Sequence, residues 1–401
     1  MNKLAQISAI TIASSAGLAA AGSLDLDRAY ASELRSDAGA YSVLNSNASN
    51  ITVSAGFRFG YNANFRDNDS LGDDDTTIGF GFQTTEIRVS GQVTDSITAT
   101  MSFGFNEYLY GIDPFEDSDT AYLEDAYADW AINDTFTLRM GQFIQSFSAG
   151  RSISEFHGTN VFRSGAEQEV GDVGFTQGVE AHFGGDTWSG AIGFTDGPDT
   201  DGADFADSSE ADWALNARFD FFSDSDKARF DHRASWRGSS NAWRLGGGLI
   251  YATYGSTNPT PSDRDDLWYT IDGAYQGDGW QINAAFFGMN TDPDGGSDTD
   301  TTAFEVGGSM FFNDQTEGYA RFDMIMFDDA VVSPEDTFSF LAGGVNHYLV
   351  PESHAARLTA ELGYSFQDGA AQTSGFDGET SAFLGDSDGE FTLSLMAQFM
   401  F

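Results

Sequence analysis

The stretch of sequence that decides the fold is residues 391–401, which reads FTLSLMAQFMF. Every second residue from Phe391 to Phe401 is apolar, and Thr, Ser and Gln occupy three of the five positions between them. Successive side chains of a strand point to opposite faces, so this alternation predicts a strand with one apolar and one more polar face. About 9–11 tilted residues are enough for a strand to cross a bilayer core. The segment therefore predicts a membrane-spanning strand.

The same period of two starts at Ile51 and continues through the chain. Most of the alternating segments are longer than the five or six residues usual in soluble sheets. Sixteen such segments are found, at residues 51–61, 83–93, 97–107, 122–130, 136–144, 173–183, 187–196, 212–221, 242–254, 268–276, 280–288, 302–312, 318–327, 337–349, 356–366 and 390–401.

The connections between these segments alternate between short and long. Residues 222–241 are the exception, a long connection in the short series, and residues 145–172 are the longest loop. An even strand number with short turns at one end and long loops at the other is typical of outer-membrane barrels. The sequence thus predicts an all-β fold, a transmembrane antiparallel β-barrel of sixteen strands with short periplasmic turns and long acidic extracellular loops. A soluble propeller or stacked sandwich is the alternative, but neither explains the one-sided loop length.

The two ends of the sequence suggest how the chain reaches its membrane. Lys3 followed by a small-residue apolar run, with the Ala19–Ala21 cleavage pattern, predicts a signal peptide over residues 1–21. Residues 22–50 are expected to form a periplasmic arm or a short helix, and residues 51–401 the barrel. The alternation that ends in Phe399 and Phe401 resembles the assembly signal of outer-membrane barrels. We therefore expect the barrel-assembly machinery and outer-membrane lipid as partners.

The composition excludes several classes of function. With 62 acidic and 18 basic residues the formal net charge is −44, so binding to the phosphates of a nucleic acid is not expected. There is no cysteine, which excludes disulfides and thiol chemistry. The segment from Asn290 to Gly295 matches the first half of a calcium loop, but its twelfth position is Thr301 rather than Glu. We expect no cofactor and no specific metal site, although the acidic loops could bind divalent cations loosely or suit a salty habitat.

Strand parity assigns a set of charged residues to the inner face of the barrel. They predict a charged pore wall that sorts ions by sign, and the alternative is that about half of them only form mutual salt bridges in a water-filled lumen. The predicted pore-lining residues are Arg58, Glu86, Arg88, Asp125, Asp129, Arg139, Glu180, Arg218, Asp220, Arg244, Asp272, Glu305, Arg321, Asp323, Arg357 and Glu361. The loop 145–172 contributes a second, mixed set, namely Arg151, Glu155, Arg163, Glu167, Glu169 and Asp172.

Three short patches resemble the phosphate-selective porin O and P family. They are LEDAY at 123–127 with LRMGQF at 138–143, the hairpin 179–197, and GVNHYLVP at 344–351. The resemblance implies a sixteen-stranded homotrimeric porin whose third loop, here 145–172, folds inward and narrows the pore. The chain departs from the family at Ile144, where a lysine is common. It also lacks the family's lysine cluster, because Lys227 is the only lysine after the predicted signal peptide.

We therefore expect a porin, a water-filled channel for passive diffusion of small hydrophilic solutes and ions, with a preference for cations. The alternatives are a phosphate- or anion-selective porin and a calcium-binding surface protein that forms no channel. An enzyme is not expected, since none of the five histidines lies in a recognisable nucleophile motif and no catalytic residue can be named.

Overall fold

The computed structural model describes residues 51–68, 73–105, 121–198, 210–255, 263–328, 336–367 and 389–401. The predicted signal peptide (1–21) and arm (22–50) lie outside these residues. No helix in the described part of the chain is long and apolar enough to cross a membrane.

Sixteen antiparallel strands form one closed barrel in which each strand pairs with its neighbours in sequence, so the predicted fold class is confirmed. Its strands are β1 Ile51–Asn68, β2 Asp73–Thr94, β3 Ile97–Gly104, β4 Tyr122–Asn133, β5 Phe136–Ile144, β6 Phe175–Gly185, β7 Trp188–Thr195, β8 Trp213–Phe222, β9 Ala242–Tyr254, β10 Arg264–Gly277, β11 Trp280–Pro293, β12 Thr299–Asn313, β13 Thr316–Phe327, β14 Thr337–Tyr348, β15 Ala356–Ser365 and β16 Phe391–Met400. β2 begins ten residues before its predicted start at 83, and within this extension Ile78, Phe80 and Phe82 continue the apolar alternation on the outer face.

The first and last strands close the barrel. Phe57 lies opposite Phe399, and their rings are 5.5 Å apart. The closing ladder continues to Phe401, whose backbone N–H and C=O exchange hydrogen bonds with Ala55, both of 2.8 Å. Closure leaves no unpaired sheet edge, which is what a bilayer requires of a spanning sheet.

The outer face of the barrel is apolar and its inner face is polar. Large apolar side chains on alternate strand positions are exposed on the outside, among them Ile192, Phe194, Leu362 and Leu395. Tryptophans are exposed near the strand ends at the turn side of the barrel, and these are Trp130, Trp188, Trp243 and Trp280. This pattern matches an apolar belt edged by interfacial aromatics.

Loop 3, residues 145–174 between β5 and β6, folds into the barrel. It contains the helix α1 (Ala149–Ser152), a 3-10 turn at Glu155–His157 and a π-helical turn at Glu167–Gly171. Its apolar side chains form a core inside the barrel with inward residues of β8 to β14. This core includes Phe147, Ala166, Val170, Val173, Ile250, Trp268, Phe287, Ile325, Phe338 and Phe340.

Turn 4, residues 223–241 between β8 and β9, also enters the barrel from the end that carries the short turns. Its buried residues Ala234 and Trp236 pack against Phe311 of β12 and Tyr348 of β14. The sequence marked this connection only as unusually long. The structure shows that its extra residues fill one side of the barrel, next to loop 3.

Candidate pore and its constriction

Loop 3 is held in the barrel by arginines of the wall, which donate to its backbone carbonyls. Arg58 donates to Asn160 at 3.1 Å and Arg321 to Phe162 at 2.7 Å. Arg218 and Arg357 bond the carbonyls of Phe147 and Gly158 in the same way. These contacts come from β1, β8, β13 and β15. An irregular backbone inside a barrel needs such partners, because buried carbonyls without hydrogen bonds are costly.

Carboxylates of the wall accept hydrogen bonds from loop 3 in turn. Asp272 accepts from the backbone N–H of Ala149 at 3.2 Å, and Glu361 from that of Val161 at 3.0 Å. Glu180 accepts from the N–H and the hydroxyl of Ser146, at 3.0 and 2.7 Å. Asp323 and Glu305 accept similarly from Ala166 and Ser164. Strands on both sides of the barrel therefore fix the path of the loop.

The structure places all sixteen predicted pore-lining side chains on the inner face, where they divide into two groups. The side chains of the first group are mostly buried. They form hydrogen bonds with loop 3, or salt bridges with a wall residue that forms such hydrogen bonds. This group comprises Arg58, Glu180, Arg218, Asp220, Arg244, Asp272, Glu305, Arg321, Asp323, Arg357 and Glu361. The other group lies near β2 to β5, outside the packed core. It comprises Glu86, Arg88, Asp125, Asp129 and Arg139.

A cavity of about 330 Å³, which we call the mid-barrel cavity, lies between loop 3 and strands β2 to β5. Four arginines line it, and each is paired with a carboxylate. Arg88 lies 2.8 Å from both Glu86 and Asp125. The remaining pairs are Arg139 with Asp129 at 2.8 Å, Arg151 with Asp172 at 2.5 Å, and Arg163 with Glu167 at 3.0 Å.

The acidic residues of loop 3 are in different environments. Glu155 lines the cavity and lies 3.5 Å from Arg163 and 3.8 Å from Arg58. Burial opposes ionisation of Glu155, but Arg163 and Arg58 outweigh it and lower its pKa. Glu167 is buried, and that burial raises its pKa in spite of Arg163. Glu169 is half-buried in the turn Glu167–Gly171.

Several residues at the cavity are absent from the pore-lining set that strand parity predicted. Tyr122, Glu124 and Tyr127 line it, and the pairing of β3 with β4 shifts register between Met101 and Phe103. A second shift, between Arg58 and Phe59, lets both Gln83 and Thr84 reach loop 3, at the carbonyl of Val161 and the carboxylate of Glu155. A β-bulge redirects side chains locally. A change of parity in the apolar positions marks both irregularities, from Phe80 and Phe82 to Ile87 in β2 and from Leu123 to Ala126 in β4.

A second cavity, of about 480 Å³, lies at the end of the barrel that carries the turns. Asp134, His182, Asp186 and Lys227 are among its lining residues, and Ser146 lines both this cavity and the first. The two cavities together border β2 to β8. Turn 4 packs on the other side of the barrel, against β12 and β14.

The possible metal and calcium sites gain no support from the geometry. Among the described residues, no group of three or more His, Asp or Glu side chains is arranged to hold a metal ion. The half-motif at 290–295 consists of the last four residues of β11 and the first two residues of the β11–β12 turn.

Residues 53–247, just under half of the chain, match the family model described as phosphate-selective porin O and P. The match extends from β1 into β9 and confirms the resemblance found in the sequence. A comparison with curated protein sequences gives no match.

Solved porin structures have the same fold. An anion-selective porin from Comamonas acidovorans is 10% identical, with a TM-score of 0.61 over 88% of this chain and 100% of that one. The outer-membrane protein OmpT of Vibrio cholerae in a trimer form is 17% identical, with a TM-score of 0.56 over 88% and 100%. The outer-membrane channel DcaP of Acinetobacter baumannii is 14% identical, with a TM-score of 0.56 over 89% and 99%. The closed sixteen-strand barrel thus has the fold of outer-membrane porins, and residues 53–247 are similar to the phosphate-selective porin O and P family.

Proposed function

We propose that the chain is a passive diffusion channel with a weak to moderate preference for cations and no saturable phosphate site. Solutes would cross through the two cavities along β2 to β8, which share the lining residue Ser146. The observation that carries the proposal is the pairing of every arginine that lines the mid-barrel cavity with a carboxylate. A guanidinium already bonded to a carboxylate offers few free donors to a phosphate.

The charge around this cavity supports the sign of the preference. Its four arginines face the lining acids Glu86, Glu124, Asp125 and Glu155, and the arginines' further partners are Asp129, Glu167 and Asp172. The chain as a whole carries −44, but exposed charges more than about 8 Å from the ion path are screened at physiological salt. The carboxylates next to the path should therefore set the selectivity, by enriching cations locally.

An anion-selective channel is the second candidate, favoured by the description of the matched family and by the arginines on the inner wall. In the described structure, however, Arg58, Arg218, Arg321 and Arg357 bond loop 3 through its carbonyls. These four would have to leave loop 3 before they could bind a permeating anion.

We also propose that the protein forms a homotrimer in outer-membrane lipid after insertion by the barrel-assembly machinery. The trimer form of the similar Vibrio cholerae protein supports this assembly. The apolar outer face and its tryptophans suit contact with lipid or with a second barrel.

The test is reconstitution of the purified protein in a planar bilayer, followed by addition of phosphate to a chloride solution. We expect discrete conductance steps and no block of the chloride current at micromolar phosphate. Saturable block at that concentration would support the anion-selective candidate. A folded barrel that gave no steps would contradict the channel itself.

A further inference from the structure

Three buried histidines meet where loop 3, turn 4 and turn 7 (residues 349–355, between β14 and β15) come together. His157 belongs to loop 3, His232 to turn 4 and His354 to turn 7. The His354 ring lies 5.1 Å from that of His157 and 5.4 Å from that of His232. All three side chains are at most 4% exposed. One cluster therefore joins three segments that are far apart in the sequence.

The surroundings of the cluster suit neutral rings. Trp236 and Tyr348 pack their rings on His354, at 5.2 and 5.6 Å. Within the described residues, both ring nitrogens of His157 and of His354 are without a hydrogen-bond partner. A protonated imidazole there would gain a buried charge without a bonded acceptor, which is unfavourable.

The charged groups around the cluster are mainly cationic. Arg357 of β15 faces His157 and His354, and Arg229 of turn 4 faces His232. Arg233 of turn 4 is paired with Glu305 of β12 at 3.2 Å. The carboxylate of Glu317, on β13, accepts hydrogen bonds from Tyr348 and Asn346. Protonation of the three histidines at low pH would therefore place new positive charge beside arginines.

The cluster coincides with the direct contact between the two inserted segments. The backbone N–H of Arg233 in turn 4 donates to the carbonyl of His157 in loop 3 at 3.0 Å. The apolar residues Ala234 and Trp236 follow at once and fill the lumen beside β12 and β14. Loss of packing at the histidines would thus loosen the part of turn 4 that occupies the barrel.

We propose that His157, His232 and His354 form an acid-sensitive latch that holds turn 4 inside the barrel at neutral pH and releases it when the histidines are protonated. The latch would regulate the width of the proposed channel, and to that extent it rests on the proposed function. Release would open the side of the lumen that turn 4 now fills.

The direction of the pH effect follows from the histidine pKa values. Burial, neighbouring histidines and Arg357 lower the pKa of His157 and His354 well below 6.5, while burial and Arg229 lower that of His232 to about 3. A group with a lowered pKa favours the closed state fully above about 6.5 and progressively less as the pH falls. At pH 4.5, two units below that value, one such histidine shifts the equilibrium toward the open state about 100-fold.

The absence of cysteine from the chain allows a direct test by thiol labelling of the folded protein in detergent. Ala234→Cys places a thiol at a fully buried position of turn 4, and Ser225→Cys places one at an exposed position of the same turn. The Ser225→Cys rate corrects for the intrinsic effect of pH on thiol reactivity. We expect the labelling rate of Ala234→Cys relative to Ser225→Cys to rise at least about 100-fold, the effect of a single histidine, between pH 7.5 and pH 4.5.

Two sets of histidine variants make the test specific. His157→Gln, His232→Gln and His354→Gln, singly and together, should reduce the rise. His182→Gln and His347→Gln, which lie outside the cluster, should leave it intact. An unchanged labelling ratio in the cysteine variants that keep all their histidines, or a full rise when His157, His232 and His354 are replaced together, would overturn the latch. Because labelling needs no current, a chain that responds to acid but does not conduct would contradict only the channel function.

Discussion

Arg218 of β8 and Asp272 of β10 form two parallel hydrogen bonds inside the barrel, Nη1 to Oδ2 at 2.8 Å and Nη2 to Oδ1 at 3.0 Å. Asp272 also accepts from Ala149 N–H in loop 3, and Arg218 donates to the carbonyl of Phe147. This ion pair therefore joins two strands of the wall to the segment that narrows the lumen.

Asp272→Asn should destabilise the barrel and loosen loop 3. The substitution would remove the buried carboxylate that pairs with both Arg218 and Arg244, although Asp220 would still pair with Arg218. We expect a loss of about 3 kcal/mol, the lower end for breaking a buried ion pair, together with noisier single-channel currents. The measurement is the temperature at which the folded form is lost on a gel. Asp314→Asn is the control, because its pair with Arg237 is exposed and should contribute at most about 1 kcal/mol.

Removal of residues 149–171, which form most of loop 3, should raise the single-channel conductance. The segment occupies the middle of the barrel and borders the cavity along β2 to β5. Deletion of the exposed hairpin tip 294–298 should leave the conductance unchanged, since these residues lie outside the lumen. Equal conductance of the loop 3 deletion and the parent, with both barrels folded, would show that the loop does not limit the current.

Phe401→Asp should reduce the yield of folded barrel, and Phe401→Leu should preserve it. The side chain is 62% exposed on the outer face, while its backbone completes the β1–β16 ladder at Ala55. A charge at this position would face lipid or its interface, where it is unfavourable. The heat-modifiable folded fraction in the outer membrane measures the effect. Normal levels of the Asp variant would contradict the role assigned to this residue.

Double substitution of Glu86→Gln and Asp125→Asn should shift the selectivity toward anions. Both carboxylates are paired with Arg88, which is partly exposed to the mid-barrel cavity. Without them the guanidinium would be available to permeating chloride, and we expect the cation-to-anion permeability ratio to fall about 2–5-fold. The reversal potential in a KCl gradient measures the change, and Asp314→Asn serves again as the distant control. An unchanged ratio would mean that the path bypasses Arg88.

The strand pattern was predictable from the sequence because each strand must separate lipid from a polar lumen. That requirement produces the alternation at Ile51–Tyr61 and again at 391–401, and the same parity places Arg58 and Asp272 on the inner face. The bulge that turns both Gln83 and Thr84 toward loop 3 leaves a mark in the alternation, where the apolar positions change from Phe82 to Ile87, but that change does not show which loop the two side chains contact.

The family resemblance implied that loop 3 folds inward, but neither the contacts that hold loop 3 nor the insertion of turn 4 was predictable. Contacts such as Arg321 with the carbonyl of Phe162 join residues far apart in the sequence, and they use backbone atoms that every residue has. The length of residues 222–241 was the one signal of turn 4, and the buried Trp236 shows what that length serves. Wall charges that parity alone assigns to open water are therefore largely bonded to protein.

The most direct test of the central claim is the reversal potential of the wild-type channel across a tenfold KCl gradient at neutral pH. We predict a potential of cation-selective sign, with a permeability ratio of about 2–5 that falls as the salt concentration rises, because carboxylates next to the path enrich potassium and salt screens them. A potential of anion-selective sign would contradict the account. It would show that the arginines, although paired in the structure, determine which ions cross.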